Sequence, residues 1–390
     1  MRKTVCRNKV LPAVALGLAA AVTTGRPATA AVQPDQPDTP EITVVQLGQR
    51  PGMVATLVND HGLVAGAGIG IGSPREIVGF VWRDGTSVEL PGSVPTAVNN
   101  QGHVVGAQFT APAPQAFRWV DGVQTPLGFL GGTADSRFST ASDVNEAGQV
   151  VGASTTDSGE VHAFLWQDGA MTDLGTLGGG RSEAVAVNDR GQVVGVSRTA
   201  AGDDHAFLWQ DGVMTDLGTL GGHSSTATDI NNAGQIVGRA STPDGRQHAF
   251  LWTPGYLGQP GQMTDLQADA SDSAATVKIN ESGQVLVDAV SDPDFVWANG
   301  SRTEIGPPYT TTLSRVINDR GQVVGASFGD SGMTAFRWSG RDTLGLTAPG
   351  VLSSDAFAAN TRGDVVGTAE ITEPDGTVRQ HAVLWRILDG

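Results

Sequence analysis

Cysteine is nearly missing: Cys6 is the only one in 390 residues, and it lies in the first thirty. A chain processed beyond that point holds no disulfide and no thiolate metal site, so its cohesion has to come from packing. Lysine is almost as scarce, with Lys3, Lys9 and Lys278 alone. Against 24 Lys and Arg stand 40 Asp and Glu, a formal charge of −16 that argues against nucleic acid or anionic lipid as partners. After the N-terminus no apolar run approaches the length that spans a bilayer, so no membrane insertion is expected. Catalytic signatures are lacking too. There is no Gly-x-Ser-x-Gly and no His-Glu-x-x-His. "LGTLGGG" at 174–180 follows an expected strand, opens no helix and offers no Lys, which excludes a phosphate loop and with it a nucleotide cofactor. "TTDSGE", "TPDGRQ" and "EPDGTV" hold too few acids for a calcium cage. No cofactor is expected. Carboxylates paired only by folding would leave no linear trace.

The N-terminus reads as an export signal. Arg2, Lys3, Arg7 and Lys9 precede the apolar run "VLPAVALGLAAAV", and "ATA" ends in a small-residue cleavage site after Ala30. No twin-Arg pair and no lipid-accepting Cys accompany it, so the expected route is Sec-type secretion to an extracellular setting. Removing residues 1–30 takes the formal charge from −16 to −21. Residues 31–41, rich in Pro and polar residues, read as a flexible leader before a repeat region, 42–390.

What the sequence has in abundance is itself. "HAFLWQDGAMTDLGTLGG" at 162–179 returns almost unchanged at 205–222. The marker Asn-x-x-Gly followed by an apolar pair begins at Asn59, Asn99, Asn145, Asn188, Asn231, Asn280, Asn318 and Asn360, with steps of 38 to 49 residues. Each of the eight units holds one of the eight Trp. A period of this length indicates a repeat architecture. Within a unit, "AVAV", "QVVGVS", "HAFLW" and "MTDLG" are short apolar stretches bounded by Gly, Asp, Asn or Ser, the pattern of four strands. Asn-x-x-Gly suits a type I turn, and Asp-Gly (84, 121, 168, 211) or Asn-Gly (299) a two-residue hairpin. Both tight turns then share one edge of a four-stranded meander, with the longer connections on the other. The small residue four before each Asn (Ala55, Pro95, Ala141, Ala184, Ala227, Thr276, Ser314, Ala356) predicts a crowded inner strand.

Eight such units predict an all-β fold, an eight-bladed β-propeller, with a β-solenoid as the rival. The eighth unit stops after "HAVLWRILDG", while "ITVVQLG" at 42–48 resembles the strand it lacks, so the N-terminal strand is expected to complete the last blade. The "HAFLW-x-DG-x-MTDLGTLGG" repeat resembles that of the extracellular HAF family of bacterial proteins. The resemblance covers 42–390, is strongest over 162–252, and implies export and a repeat scaffold without a reaction or catalytic residues.

Of the residues that could do chemistry, His162, His205, His248 and His381 share one repeat column. A His column can bind metal. The alternative is a His bonded inside its own unit, to Asp173, Asp216 or Asp265. Units one, two, six and seven have Gly79, Gln115, Asp294 and Thr334 at or near that place. Residues that break the repeat are better binding candidates. Arg50, Arg137, Phe138, Arg181, His223 and Tyr309 fall in the long connections, where cations and aromatic rings could hold an anionic or polyhydroxyl ligand; Tyr256 falls in another enlarged loop. The leading expectation is a monomeric secreted binding scaffold for an extracellular glycan, cell-wall component or protein. A polysaccharide hydrolase or lyase and a matrix protein are the alternatives, the charge of −21 opposing self-association.

Overall fold

The computed structural model describes residues 41–47, 50–69, 76–109, 113–133, 136–255, 259–270, 276–289, 293–306, 311–329, 332–340, 342–373 and 375–388. The expected signal and residues 31–40 of the leader lie outside them. Among the described residues there are 32 strands and no helix.

The fourth unit shows how the repeat folds. Its strands are Gly178–Val187, Val193–Thr199, Asp204–Gln210 and Val213–Asp216, each antiparallel to the next. Asp211 and Gly212 both take positive φ, 52° and 84°, the mirror-image turn that matches strand twist. Six units are separate four-stranded sheets. Units three and four are joined into one eight-stranded sheet by a parallel bridge between Val161 and Arg181. In the eighth unit the fourth strand is Glu41–Gln46, which pairs with Val378–Leu388 from the other end of the chain. The strand starts at Glu41, the last residue of the expected leader. Leu47 N donates to Ala382 O, as Leu217 N does to Ala206 O, so the N-terminal strand takes the register that the other units give their own fourth strand.

The core lies between units. Phe207 of unit four packs with Val151, Ala163 and Leu174 of unit three; Phe250 and Trp252 of unit five pack with Val194, Ala206 and Leu217 of unit four. Eight such clusters each join two successive units. One of them joins Val366, Ala382 and Leu384 of the eighth unit, with Leu47, to Phe80 and Trp82 of the first. The Phe of the third strand is at most 1 % exposed in seven units. Burying such a ring contributes about 2–3 kcal/mol, so packing replaces the absent cross-links.

The crowded inner strand has a definite cause. The first strand bulges between Ala184 and Ala186, and Gly195 of the second strand lies against the bulge. A Cβ on Gly195 would overlap the Glu183 carbonyl oxygen and sit 3.0 Å from Ala184 Cα. Six other units repeat the bulge and the Gly. Unit six has Val287 in that place, and its Val277–Ile279 strand pairs without a bulge.

Candidate functional site

The marker Asn does more than turn the chain. Asn188 Oδ1 accepts the amides of Arg190 and Gln192, Gly191 N donates to Asn188 O, and Asn188 Nδ2 donates to Asn231 O of the next unit at 3.0 Å. The same inter-unit bond runs from Asn59 to Asn99, Asn145, Asn188, Asn231, Asn280, Asn318 and Asn360, and from Asn360 back to Asn59. All eight Asn are at most 6 % exposed. An unpaired amide at such depth costs about 1–3 kcal/mol, which explains why no unit substitutes the residue.

The residue after the marker Asn forms a second series of bonds, at seven of the eight joins. Its amide is accepted by the side chain of its counterpart in the following unit: Asp60 by Asn100, Asn100 by Glu146, Glu146 by Asp189, Asp189 by Asn232, Asn232 by Glu281, Glu281 by Asp319, and Thr361 by Asp60. Asp, Asn or Glu follows seven of the eight marker Asn, a pattern plain in the sequence that composition-minded reading passes over. These turns surround a cavity of about 250 Å³ lined by Asp60, Asn100, Glu146, Glu281, Asp319 and Thr361 among others. Burial raises the Glu281 pKa, the Asn232 amide opposes it, and the Asp319, Asp189 and Asp229 carboxylates add to the rise. Burial alone would raise Asp60 as well, but hydrogen bonds from Thr361 and Asn100, with His61 nearby, bring it below the ordinary value.

On the first strands Asp143, Asp229 and Lys278 break the repeat two places before the marker, where other units have Leu57, Ala97, Ala186, Val316 and Ala358. Asp143 accepts the amides of Val144 and, from the next unit, Val187; Asp229 accepts those of Ile230 and Ile279. Burial pushes the Asp143 pKa up against those two amides, with the Asp229 charge adding and Lys278 relieving. Lys278 Nζ lies 3.7 Å from Asp229. Both carboxylates therefore serve as clamps between units. Among the described residues no group of three or more His, Asp or Glu is arranged to hold a metal ion.

The long-connection candidates do not converge. Arg50 is held by Glu89 at 2.8 Å, and Arg181 by Glu183 at 2.8 Å. Arg137 stacks on Phe129, 4.7 Å from its ring centre. Phe138 is half-buried, its amide bonded to Thr155 Oγ1. His223 is open to solvent, its side chain 94 % exposed, with Asp203 3.9 Å away. These five belong to the seam before unit one and to units three, four and five. Tyr309 and Tyr256 lie outside the described residues.

The His column is built as the intra-unit alternative expects. His162, His205 and His248 place Nδ1 within 2.8–3.1 Å of Asp173, Asp216 and Asp265. Those carboxylates also accept the amides of Gly175, Gly218 and Gln267. In unit eight, Gln46 stands in the Asp position opposite Val383. There His381 Nδ1 has no hydrogen-bond partner, and burial pushes its pKa down. The register also corrects the column: Val78 and Pro293, not Gly79 and Asp294, stand where the His would be, because Phe80 and Phe295 align with Phe164. Asp294 instead replaces the Ala, and its carboxylate accepts Thr312 Oγ1 and the Ser314 amide of unit seven.

No protein-family model matches the sequence, and no curated protein matches it. Solved structures do resemble the fold. A Mycobacterium tuberculosis puromycin-hydrolyzing peptidase is similar with a TM-score of 0.51 and 13% identity over 84% of this chain and 61% of that one. A Pyrococcus horikoshii acylaminoacyl peptidase gives 0.48 and 12% over 84% and 59%. TolB from Acinetobacter baumannii gives 0.37 and 10% over 80% and 79%. The chain thus spans about three fifths of the two peptidases. At such identity the first likeness concerns the fold alone, a propeller-type set of four-stranded antiparallel sheets.

Proposed function

We propose that the chain is a secreted binding scaffold of the extracellular HAF repeat type. In this reading it is exported by residues 1–30, closes as an eight-bladed β-propeller, and holds an extracellular ligand on its long-connection face. Closure is supported by the bond from Asn360 to Asn59, the core between the eighth and first units, and the N-terminal strand in the last sheet. The observation that carries the binding role is the division between the two faces. On the tight-turn face, the residues after the marker Asn spend their acceptors on amides of the neighbouring unit. The long-connection face carries the residues that differ from unit to unit, which is where a ligand finds a particular surface. Of its described cations Arg50, Arg181 and Arg198 are matched by Glu89, Glu183 and Asp204, and Arg137 stacks on Phe129, an arrangement suited to binding more than to acid–base chemistry.

The test is binding of residues 31–390 to arrayed extracellular glycans and cell-wall fragments, beside Arg50→Ala/His223→Ala and, on the other face, Glu146→Gln/Glu281→Gln. Loss in the first variant alone supports the reading. Loss in the second alone overturns the assignment of the face, and release of shortened sugars during incubation overturns the non-catalytic role.

A further inference from the structure

Large apolar side chains that remain exposed gather in one sector. Ile69, Ile77, Phe109, Phe328, Leu352 and Val378 are 37–53 % exposed. Five lie at the long-connection ends of their strands and Phe109 directly follows one, and they belong to units seven, eight, one and two, which follow one another across the join of the chain ends. Among the described residues the other exposed large hydrophobics are Val88, on a fourth strand, and Val123 and Val213, beside the Asp-Gly turns.

Ile69, Phe109 and Phe328 occupy a single repeat column, three residues after the second-strand Gly. The same column holds Thr155, Arg198, Ser241 and Glu370 in units three, four, five and eight. In units three and five the polar residue is covered by the connection that enters its own unit: Thr155 Oγ1 accepts the Phe138 amide, and Ser241 Oγ accepts the Ser224 amide. Unit two has no such cover, since one residue, Gly92, separates its first strand from the last strand of unit one. In unit two the apolar Phe109 thus stands where the covering connection is one residue long. Exposed apolar groups on successive units, with charged residues beside them, point to an interaction surface.

The rim selects the partner. Glu76 adjoins Ile77, and Glu370, Glu373 and Asp375 stand in the hairpin that leads into Val378, with Arg379 as the cation beside them and Arg50 already matched by Glu89. We propose that this sector docks a polypeptide that presents apolar side chains flanked by Lys or Arg. The inference rests on the long-connection face being the binding face, and it adds the chemical class of a partner and the units that receive it.

The test is selection of a phage-displayed random peptide library on residues 31–390, followed by titration of the enriched synthetic peptides against three proteins. These are the unsubstituted chain, Phe109→Arg/Phe328→Ser, and Arg50→Ala/His223→Ala. The first substitutions put into the column residue types that units four and five already carry there, so the fold should tolerate them; an unchanged melting temperature checks this. Expected are peptides combining apolar residues with Lys or Arg, bound at least about tenfold more weakly by Phe109→Arg/Phe328→Ser and more weakly at high salt. Enrichment of acidic peptides, no enrichment, or binding indifferent to the Phe substitutions overturns the proposal. So does concentration-dependent self-association abolished by those substitutions, which makes a second copy the occupant. Glycan binding lost in Arg50→Ala/His223→Ala without peptide enrichment removes this proposal and leaves the binding face standing.

Discussion

Asn360 Nδ2 donates to Asn59 O at 3.0 Å across 301 residues of sequence, and it is the same bond that Asn188 makes to Asn231 across 43. The join between the chain ends is thus built like every other join. Removing Asn360 Nδ2 and Oδ1 together should cost roughly 2–4 kcal/mol, because two buried amides and a carbonyl lose partners. Asn360→Asp is the sharper variant. It keeps an acceptor for the amides of Arg362 and Asp364 but turns an oxygen toward Asn59 O, and should destabilise at least as much as Asn360→Ala in urea denaturation. Wild-type stability in Asn360→Asp would mean that the inter-unit bond contributes nothing.

Gly195→Ala drives a methyl group into the Glu183 carbonyl and should cost about 1–3 kcal/mol. Gly329→Ala meets no atom within 4 Å and has no positive φ, so it should be near neutral. Thermal melts of the pair, side by side, check whether the bulge or glycine loss in general is responsible.

The His205–Asp216 pair is partly exposed, at 19 % and 42 % of its side-chain surfaces, so its coupling in a double-mutant cycle should not exceed about 1 kcal/mol. Zinc or nickel should leave the melting temperature of the protein unchanged; a rise that disappears in His205→Ala would restore the metal reading of the column.

Glu281 illustrates the acid-side behaviour. Burial and its carboxylate neighbours raise its pKa on folding, so the folded state holds the proton more tightly than the unfolded state does. Its contribution is therefore most favourable at low pH and is lost as pH rises from the ordinary glutamate value through the folded one. Glu281→Gln keeps an oxygen for the Asn232 amide and removes the charge. It should melt above the unsubstituted protein at pH 8, and the gap should close as pH falls into the carboxylate range. A gap that widens on acidification would contradict the assignment.

Much of the fold was legible because it is local. The Asp-Gly turns at 168 and 211 adopt positive φ at both residues. The pairing of "ITVVQ" with the last strand is not local, and was legible because the repeat shows which strand the eighth unit lacks. The His-Asp pairs were legible because they too are local, since a hairpin of known register brings Asp216 opposite Phe207, two residues from His205. The binding candidates Arg50, Arg137, Arg181 and His223 were chosen by loop membership, and loop membership does not say which acid or ring each side chain meets. Nor did Asn188 disclose its second partner, because its role in the turn already accounted for it.

Composition and period by themselves determined that packing holds this protein together, that its elements are short strands, and that they come in eight near-copies. These follow from there being a single Cys, which can form no disulfide within the chain, and from side-chain and turn preferences that act within a few residues. Only the tertiary structure decided that the marker Asn links each unit to the next, that Asp143 and Asp229 clamp neighbouring strands, and that Phe109 and Phe328 lie bare where Thr155 and Ser241 are covered. Each depends on which backbone atoms of another unit come within about 3 Å, a distance that no spacing along the chain encodes.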